Sequence, residues 1–184
     1  MKSLSELKND CTQCFRCELG KTRTNLVFGT GNPNADIMFI GEGPGEQEDL
    51  RGEPFVGRGG KLLDQMLELI NLSRSEVYIA NIVKCRPPNN RDPLPAERAA
   101  CSEWLTAQIQ LINPRIIVCL GRIAAICLIK PDFKITREHG KWEHFADGCE
   151  ITAIYHPAAL LRDPLKRPET FVDLKSIQEK YTAL

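Results

Sequence analysis

No stretch of this chain approaches the roughly 18 to 20 uninterrupted apolar residues that a membrane span requires, so no membrane-crossing helix is expected. Its first residues, Met1-Lys2-Ser3-Leu4-Ser5-Glu6-Leu7-Lys8, hold no apolar core of the secretory kind, and a cytoplasmic protein is the expectation. Net charge is also missing, since 24 Lys and Arg balance 24 Asp and Glu. Proteins that coat nucleic acid without selectivity are usually basic throughout, so that class is set aside. A contact confined to one basic face stays open. Internal repeats and low-complexity linkers are absent too. With 42% hydrophobic and 26% charged residues, the chain fits one globular domain spanning residues 1–184.

What the chain has in excess is cysteine, eight in all. Disulfides are disfavoured in a reducing compartment, so clustered thiols there point to metal. Cys11, Cys14 and Cys17 form two overlapping C-x2-C pairs, and Cys85 and Cys101 follow with fifteen residues between them. A C-x2-C pair plus two further thiolates is enough for tetrahedral zinc or for an iron–sulfur cluster, and spacing does not separate the two. Cys119 and Cys127 lie in apolar segments and read, like Cys149, as buried thiols without a ligand role.

The remaining pattern alternates between strand and helix. Apolar runs at 35–40, 77–83, 116–120 and 151–155 read as four strands. Helices are expected over 3–10, where Ser3 and Glu6 have capping-box spacing, and over 60–72, 96–112, 122–128 and 168–181. Strands separated by helices imply right-handed crossovers. The fold class is therefore α/β, with a central four-stranded, mainly parallel sheet and helices on both faces. In such folds ligands sit outside the carboxyl ends of the strands.

The unusual residues gather at that rim. After the first strand comes Gly41-Glu42-Gly43-Pro44-Gly45-Glu46-Gln47-Glu48-Asp49. It is no P-loop, because no Gly-Lys-Ser/Thr follows, and its carboxylates would repel a phosphate. An open but acidic loop suits positioning of water or a neutral ring. Asn81 in an apolar strand is costly unless its amide is satisfied, either by backbone or by a ligand whose edge it reads. His156-Pro157 closes the fourth strand, as a satisfied histidine or a functional one. Phe55 stands in a Gly- and Pro-rich loop at the same rim, where a ring could stack on a ligand.

Assembled, these motifs resemble the family 4 uracil-DNA glycosylases. Gly41 to Gly45, Phe55-Val56-Gly57-Arg58, Asn81, Cys85-Arg86-Pro87-Pro88 and His156-Pro157 carry the likeness, and Cys14-x-x-Cys17-Glu18-Leu19 with Thr22-Arg23-Thr24-Asn25 matches the family's start. The match runs in order from about residue 11 to 175. The resemblance implies a thermally robust, nucleoid-associated DNA-repair enzyme, acting as a monomer on uracil-containing DNA, with a [4Fe-4S] cluster. It is the resemblance, not the spacing, that selects iron–sulfur over zinc. Carried over, the ligands are Cys14, Cys17, Cys85 and Cys101. Cys11 departs from the pattern and makes the first pair ambiguous, though the residues after Cys17 favour Cys14 with Cys17. The cluster would tie segment 1–30 to the loop bearing Arg86 and Arg91, two expected DNA contacts.

The implied reaction is hydrolysis of the N-glycosidic bond of deoxyuridine, which frees uracil and leaves an abasic site. The base must first leave the stack. Phe55 would stack on it beside Glu42 and Gly43, Asn81 would read its O4/N3 edge, and His156 would donate to O2 as charge grows there. Leu160 or Leu161 would fill the gap in the duplex, with Arg162 near phosphate. In the better-known enzymes, an aspartate aligned with Gly43 activates water and a tyrosine aligned with Gly45 blocks the thymine methyl. Both are glycine here. The water then falls to Glu42, Asn90 or Glu48, in that order, and Glu48 is the nearest guard for C5.

No lysine is placed as a Schiff-base nucleophile, so strand cleavage is not expected. A related branch traps uracil covalently through an inserted histidine, but Val56-Gly57-Arg58-Gly59-Gly60-Lys61 runs on without one. Two other classes compete. A non-enzymatic metal-bearing nucleic-acid-binding module explains the cysteines but not Asn81 and His156 at one rim. A flavodoxin-like nucleotide-binding domain is opposed by the acidic loop.

Overall fold

Six strands form one mixed sheet in the computed structural model, which describes residues 2–184. They are β1 (Thr30–Gly31), β2 (Ile37–Gly41), β3 (Tyr78–Asn81), β4 (Ile116–Leu120), β5 (Glu143–Ala146) and β6 (Cys149–Ile154), in the spatial order β1-β3-β2-β4-β6-β5. The four central strands are parallel, while β1 and β5 pair antiparallel at the edges. The four-stranded expectation covers this centre and misses both edges. The reason is physical: β1 has two residues and β5 is mostly exposed, so neither carries an apolar run. Every residue of β2 and β4 is buried, as expected of strands covered on both faces.

The helices are α1 (Leu4–Thr12), α2 (Leu19–Thr22), α3 (Glu46–Arg51), α4 (Arg58–Leu69), α5 (Pro95–Ile112), α6 (Arg122–Leu128), α7 (Ile135–Glu138), α8 (Pro157–Arg162) and α9 (Arg167–Thr182). The Ser3–Glu6 capping box forms at the start of α1. Four of these helices, α2, α3, α7 and α8, were not expected, because four to six residues are too few to show a periodic stripe.

Alternate strand residues point to opposite faces. Met38, Ile40, Ala80, Ile117 and Ala153 pack on one side with Leu7 of α1 and Trp104 and Leu105 of α5. Ile37, Phe39, Ile79, Val118 and Ile154 pack on the other with Leu63 and Leu67 of α4 and Leu174 and Ile177 of α9. The parallel strands therefore send their carboxyl ends to one rim. Beyond β3, Ile82 and Val83 leave the ladder but still donate to Gly41 O and Glu42 O at 2.9 and 3.2 Å, which holds the two rim loops side by side.

Candidate active site

The loops after β2, β3, β4 and β6 enclose a pocket of about 630 Å³. Glu42, Gly43, Glu48, Phe55, Asn81, Asn90, Arg91, His156 and Arg162 all line it, together with Asp92 and Arg122. The crowding explains a glycine. A Cβ on Gly41 would stand 2.6 Å from both Asn81 Oδ1 and Phe55 Cζ, so only glycine admits amide and ring at once.

Asn81 is 2% exposed, and its Oδ1 has no hydrogen-bond partner among the described residues. A buried polar atom left this way is costly, and a partner brought by a ligand would relieve it. His156 stands at the N-cap of α8, where its Nδ1 accepts from the Ala158 N–H at 3.0 Å. That bond leaves Nε2 as the protonated nitrogen of the neutral ring. Burial pushes its pKa down to about 4, with Arg162 adding to the shift and Glu48 opposing it. Here a neutral histidine can donate from one end only.

Glu42 is shifted the other way, up to about 7, by burial first and then by the charge and hydrogen bonding of Asp92, with Arg122 and Arg162 opposing. Asp92 is held by Arg122 at 2.8 Å. Asn90, whose φ is +55°, accepts at Oδ1 from Arg86 Nε at 2.8 Å. Glu48 Oε1 accepts from the N–H groups of Val56 and Gly57 at 3.0 and 3.1 Å, so this carboxylate fixes the loop that carries Phe55. Its Oε2 lies 2.8 Å from where a Cβ on Gly45 would be.

Phe55 itself is left-handed, with φ +53°, a strained conformation for an aromatic residue. Arg74 clamps it, donating to Phe55 O and, at 3.1 Å, to Pro54 O while paired with Asp64. The Phe55 and His156 ring centroids are 5.5 Å apart. Sequence reasoning missed Arg74, Asp92 and Arg122. The last two had a readable signal, Asp92 in the loop after β3 and Arg122 at the start of α6 just after β4, but Arg74 reaches in from a distant turn that no motif marks.

The expected DNA contacts divide. Arg162 lines the pocket, and Arg86 stands beside it through Asn90. Arg91 is engaged in a two-point ion pair with Glu97 at 2.9 and 2.7 Å. Leu160 is 2% exposed and belongs to the core, whereas Leu161 is half-buried.

Elsewhere, Cys11, Cys14, Cys17, Cys85 and Cys101 line one small cavity with Lys84 and Trp104. Three of the sulfurs accept N–H groups: Cys14 from Trp104 Nε1 at 3.3 Å, Cys85 from Arg23 Nη1 at 3.2 Å, and Cys101 from the Lys84 amide at 3.3 Å. Among the described residues no three of these side chains converge on a single metal position. Cys11 is wholly buried, and burial pushes its thiol up to about 12. Cys119 and Cys149 are buried as expected, but Cys127 is exposed, because α6 turns it away from the sheet.

A family model described as the uracil DNA glycosylase superfamily matches residues 28–176. The type-4 uracil-DNA glycosylase of Archaeoglobus fulgidus is 48% identical over 97% of this chain and 94% of its own length. That of Sulfurisphaera tokodaii is 46% identical over 97% and 85%. The Thermotoga maritima protein of the same description is 46% identical over 89% and 84%. A family match over most of the chain and identities of 46 to 48% over nearly its whole length show that this chain belongs to the type-4 branch of the uracil-DNA glycosylases.

Proposed function

We propose that this protein excises uracil from DNA by hydrolysing its N-glycosidic bond, leaving an abasic site. The observation that carries the reading is the unpartnered Asn81 Oδ1, buried in the pocket that also holds a neutral, donating His156. Uracil has a donor at N3 and acceptors at O2 and O4. Asn81 would accept from N3–H and donate to O4, while His156 Nε2 donates to O2 and Phe55 stacks on the ring. Cytosine has an acceptor at N3 and a donor at N4, so the amide would be left unpaired at both points. As the bond breaks, negative charge gathers on uracil O2. A fixed donor there is worth about 3 to 4 kcal/mol in acyl-transfer sites of the same logic.

Glu42, which shares the pocket lining with Asn90, would hold and deprotonate the attacking water once ionised. Glu48 supports Phe55 and turns its second oxygen toward Gly45, the side from which a C5 methyl would be refused. Arg86 and Arg162 meet phosphate, and Arg91 shapes the loop through Glu97. Leu161 takes the wedge role, since Leu160 is committed to the core. The form proposed is a monomeric single domain of residues 1–184, whose own loops line the pocket.

The donor set of the cysteine cavity fits a [4Fe-4S] cluster held by Cys14, Cys17, Cys85 and Cys101, with segment 1–30 tied on through it. Soft thiolates answered by N–H donors suit iron–sulfur ligation. Thiols that line a cavity without meeting at one point suit a cluster in which each iron takes one thiolate. When bound, the cluster supplies a rigid cross-link and no step of the hydrolysis.

The test is incubation with a uracil-containing oligonucleotide, alkaline cleavage of abasic sites and gel analysis. Nicking at uracil only is the expected result. Absence of nicking by folded, brown protein would favour a metal-bearing nucleic-acid-binding module instead.

A further inference from the structure

Four charged side chains are buried among the described residues: Asp49, Lys84, Glu97 and Asp173. Three have visible compensation. Asp49 accepts from the amides of Thr24 and Asn25, Glu97 binds Arg91 at two points, and Asp173 meets His139. Lys84 is 0% exposed, and among the described residues its ammonium hydrogen-bonds to neutral acceptors, Asn81 O at 2.9 Å and Gln108 Oε1 at 2.5 Å, and lies 5.9 Å from the centre of the Phe28 ring. Gln108 is itself fixed, because its amide nitrogen donates to Phe28 O at 2.8 Å and Tyr78 OH at 3.3 Å.

A dry ammonium among neutral groups is costly unless charge of the opposite sign is close by. The groups that can supply it are sulfur. Cys11, Cys85 and Cys101 share the cavity with Lys84, and the Lys84 amide already donates to Cys101 Sγ. The same side chain grips the carbonyl of Asn81, whose carboxamide lies in the uracil pocket. It therefore stands between the two cavities of the molecule.

We propose that Lys84 is the counter-cation of the cysteine centre and the brace that carries the centre's position to Asn81. The proposal rests on the cluster reading given above. Lys84 touches no substrate and is a positioning residue. Its charge holds the thiolates, and its hydrogen bond fixes the strand end from which the base is read.

Wild-type protein is measured first for iron, visible absorption and reduction potential. Lys84→Met, close in shape and uncharged, is expected to lower the potential of the cluster it retains and to release iron to a chelator several-fold faster. Its single-turnover excision should fall at least tenfold while its affinity for uracil-DNA changes less than threefold. Gln108→Glu leaves Lys84 in place but gives its ammonium a carboxylate. It should load iron as wild type does and also show a lowered potential. Should Lys84→Met yield no folded protein, Gln108→Glu decides alone. Wild-type potential and iron release in the variants that fold would overturn the proposal while leaving the cluster intact. Iron-free wild type would remove the cluster reading and this one with it.

Discussion

In the cysteine cavity three sulfurs are each answered by an N–H donor, whereas in the pocket at the strand ends a buried carboxamide oxygen has none. Both cavities take part of their lining from the segment Asn81 to Arg91, so the contrast is not one of fold quality. It is one of purpose. A satisfied set of acceptors stabilises the folded state by itself, and an acceptor left without a protein partner is open to one that a ligand brings. The first arrangement suits a structural centre, the second a site that binds and reacts.

The sharpest way to break that comparison is to empty the pocket of its polar groups. His156→Ala and Asn81→Ala should each lower single-turnover excision by about 10²- to 10³-fold, the scale of a lost oxyanion donor, while binding of uracil-DNA falls much less. Asn81→Asp can accept but not donate in its ionised form, so its preference should shift toward cytosine, whose N4 is a donor. Rates on uracil and cytosine substrates read both effects. Wild-type rates in the two alanine variants would move the chemistry away from this rim.

The same deletions in the cysteine cavity should damage stability before chemistry. Cys85→Ser and Cys101→Ser should bleach the broad absorption near about 400 nm that a thiolate-bound cubane gives, and should lower the melting temperature. Cys119→Ser, Cys127→Ser and Cys149→Ser should keep the colour, since none of the three lines the cavity. Cys11 decides the ambiguous pair. The residues after Cys17, Glu18-Leu19 and Thr22-Arg23-Thr24-Asn25, match the family's start and favour Cys14 with Cys17, so Cys11→Ser should stay brown and Cys17→Ser should not. The reverse result would replace Cys17 with Cys11 in the ligand set.

Much of this was legible in the chain because buried parallel strands and their exits leave strong local marks. The apolar runs of β2 and β4, the glycines after β2 and the lone Asn81 inside an apolar strand each announce themselves within a few residues. What the chain hid depends on approach from a distance. Nothing around Arg74 shows that it clamps the Phe55 carbonyl, and nothing in His156-Pro157-Ala158 shows which ring nitrogen faces the pocket until the cap of α8 forms. Leu160 and Leu161 are alike on paper, and only packing sends one into the core. The edge strands β1 and β5 escaped because neither buries a continuous apolar surface.

A smaller effect separates the two ionisable groups of the pocket by pH. Glu42 has its pKa raised to about 7, so the ionised base is lost as pH falls through that value and single-turnover excision should fall with it. His156, depressed to about 4, stays neutral across the same range and should add no second limb above that value. Glu42→Gln should slow excision and flatten the limb near 7. A limb that persists unchanged in that variant would assign the base to another group.

The smallest effect concerns thymine, and Glu48 is where the two kinds of cavity meet in one side chain. Its Oε1 is satisfied by the Val56 and Gly57 amides, as in the structural centre, while its Oε2 lies against Gly45 in the pocket. A carboxylate oxygen that an approaching methyl strips of water gains no hydrogen bond in return, so on this reading the thymine ring would be refused at modest cost to uracil. Glu48→Ala removes both functions and should loosen Phe55 as well as open the C5 side. Glu48→Gln keeps an oxygen for the two amides and removes the charge. If the guard is electrostatic, Glu48→Gln should retain most uracil excision yet raise the relative rate on 5-substituted uracils several-fold, and Glu48→Ala should lower uracil excision itself. Rates on uracil and 5-methyluracil opposite guanine, compared across the two variants, give the ratio directly. An unchanged ratio in Glu48→Gln would leave Glu48 with the support of Phe55 as its sole role.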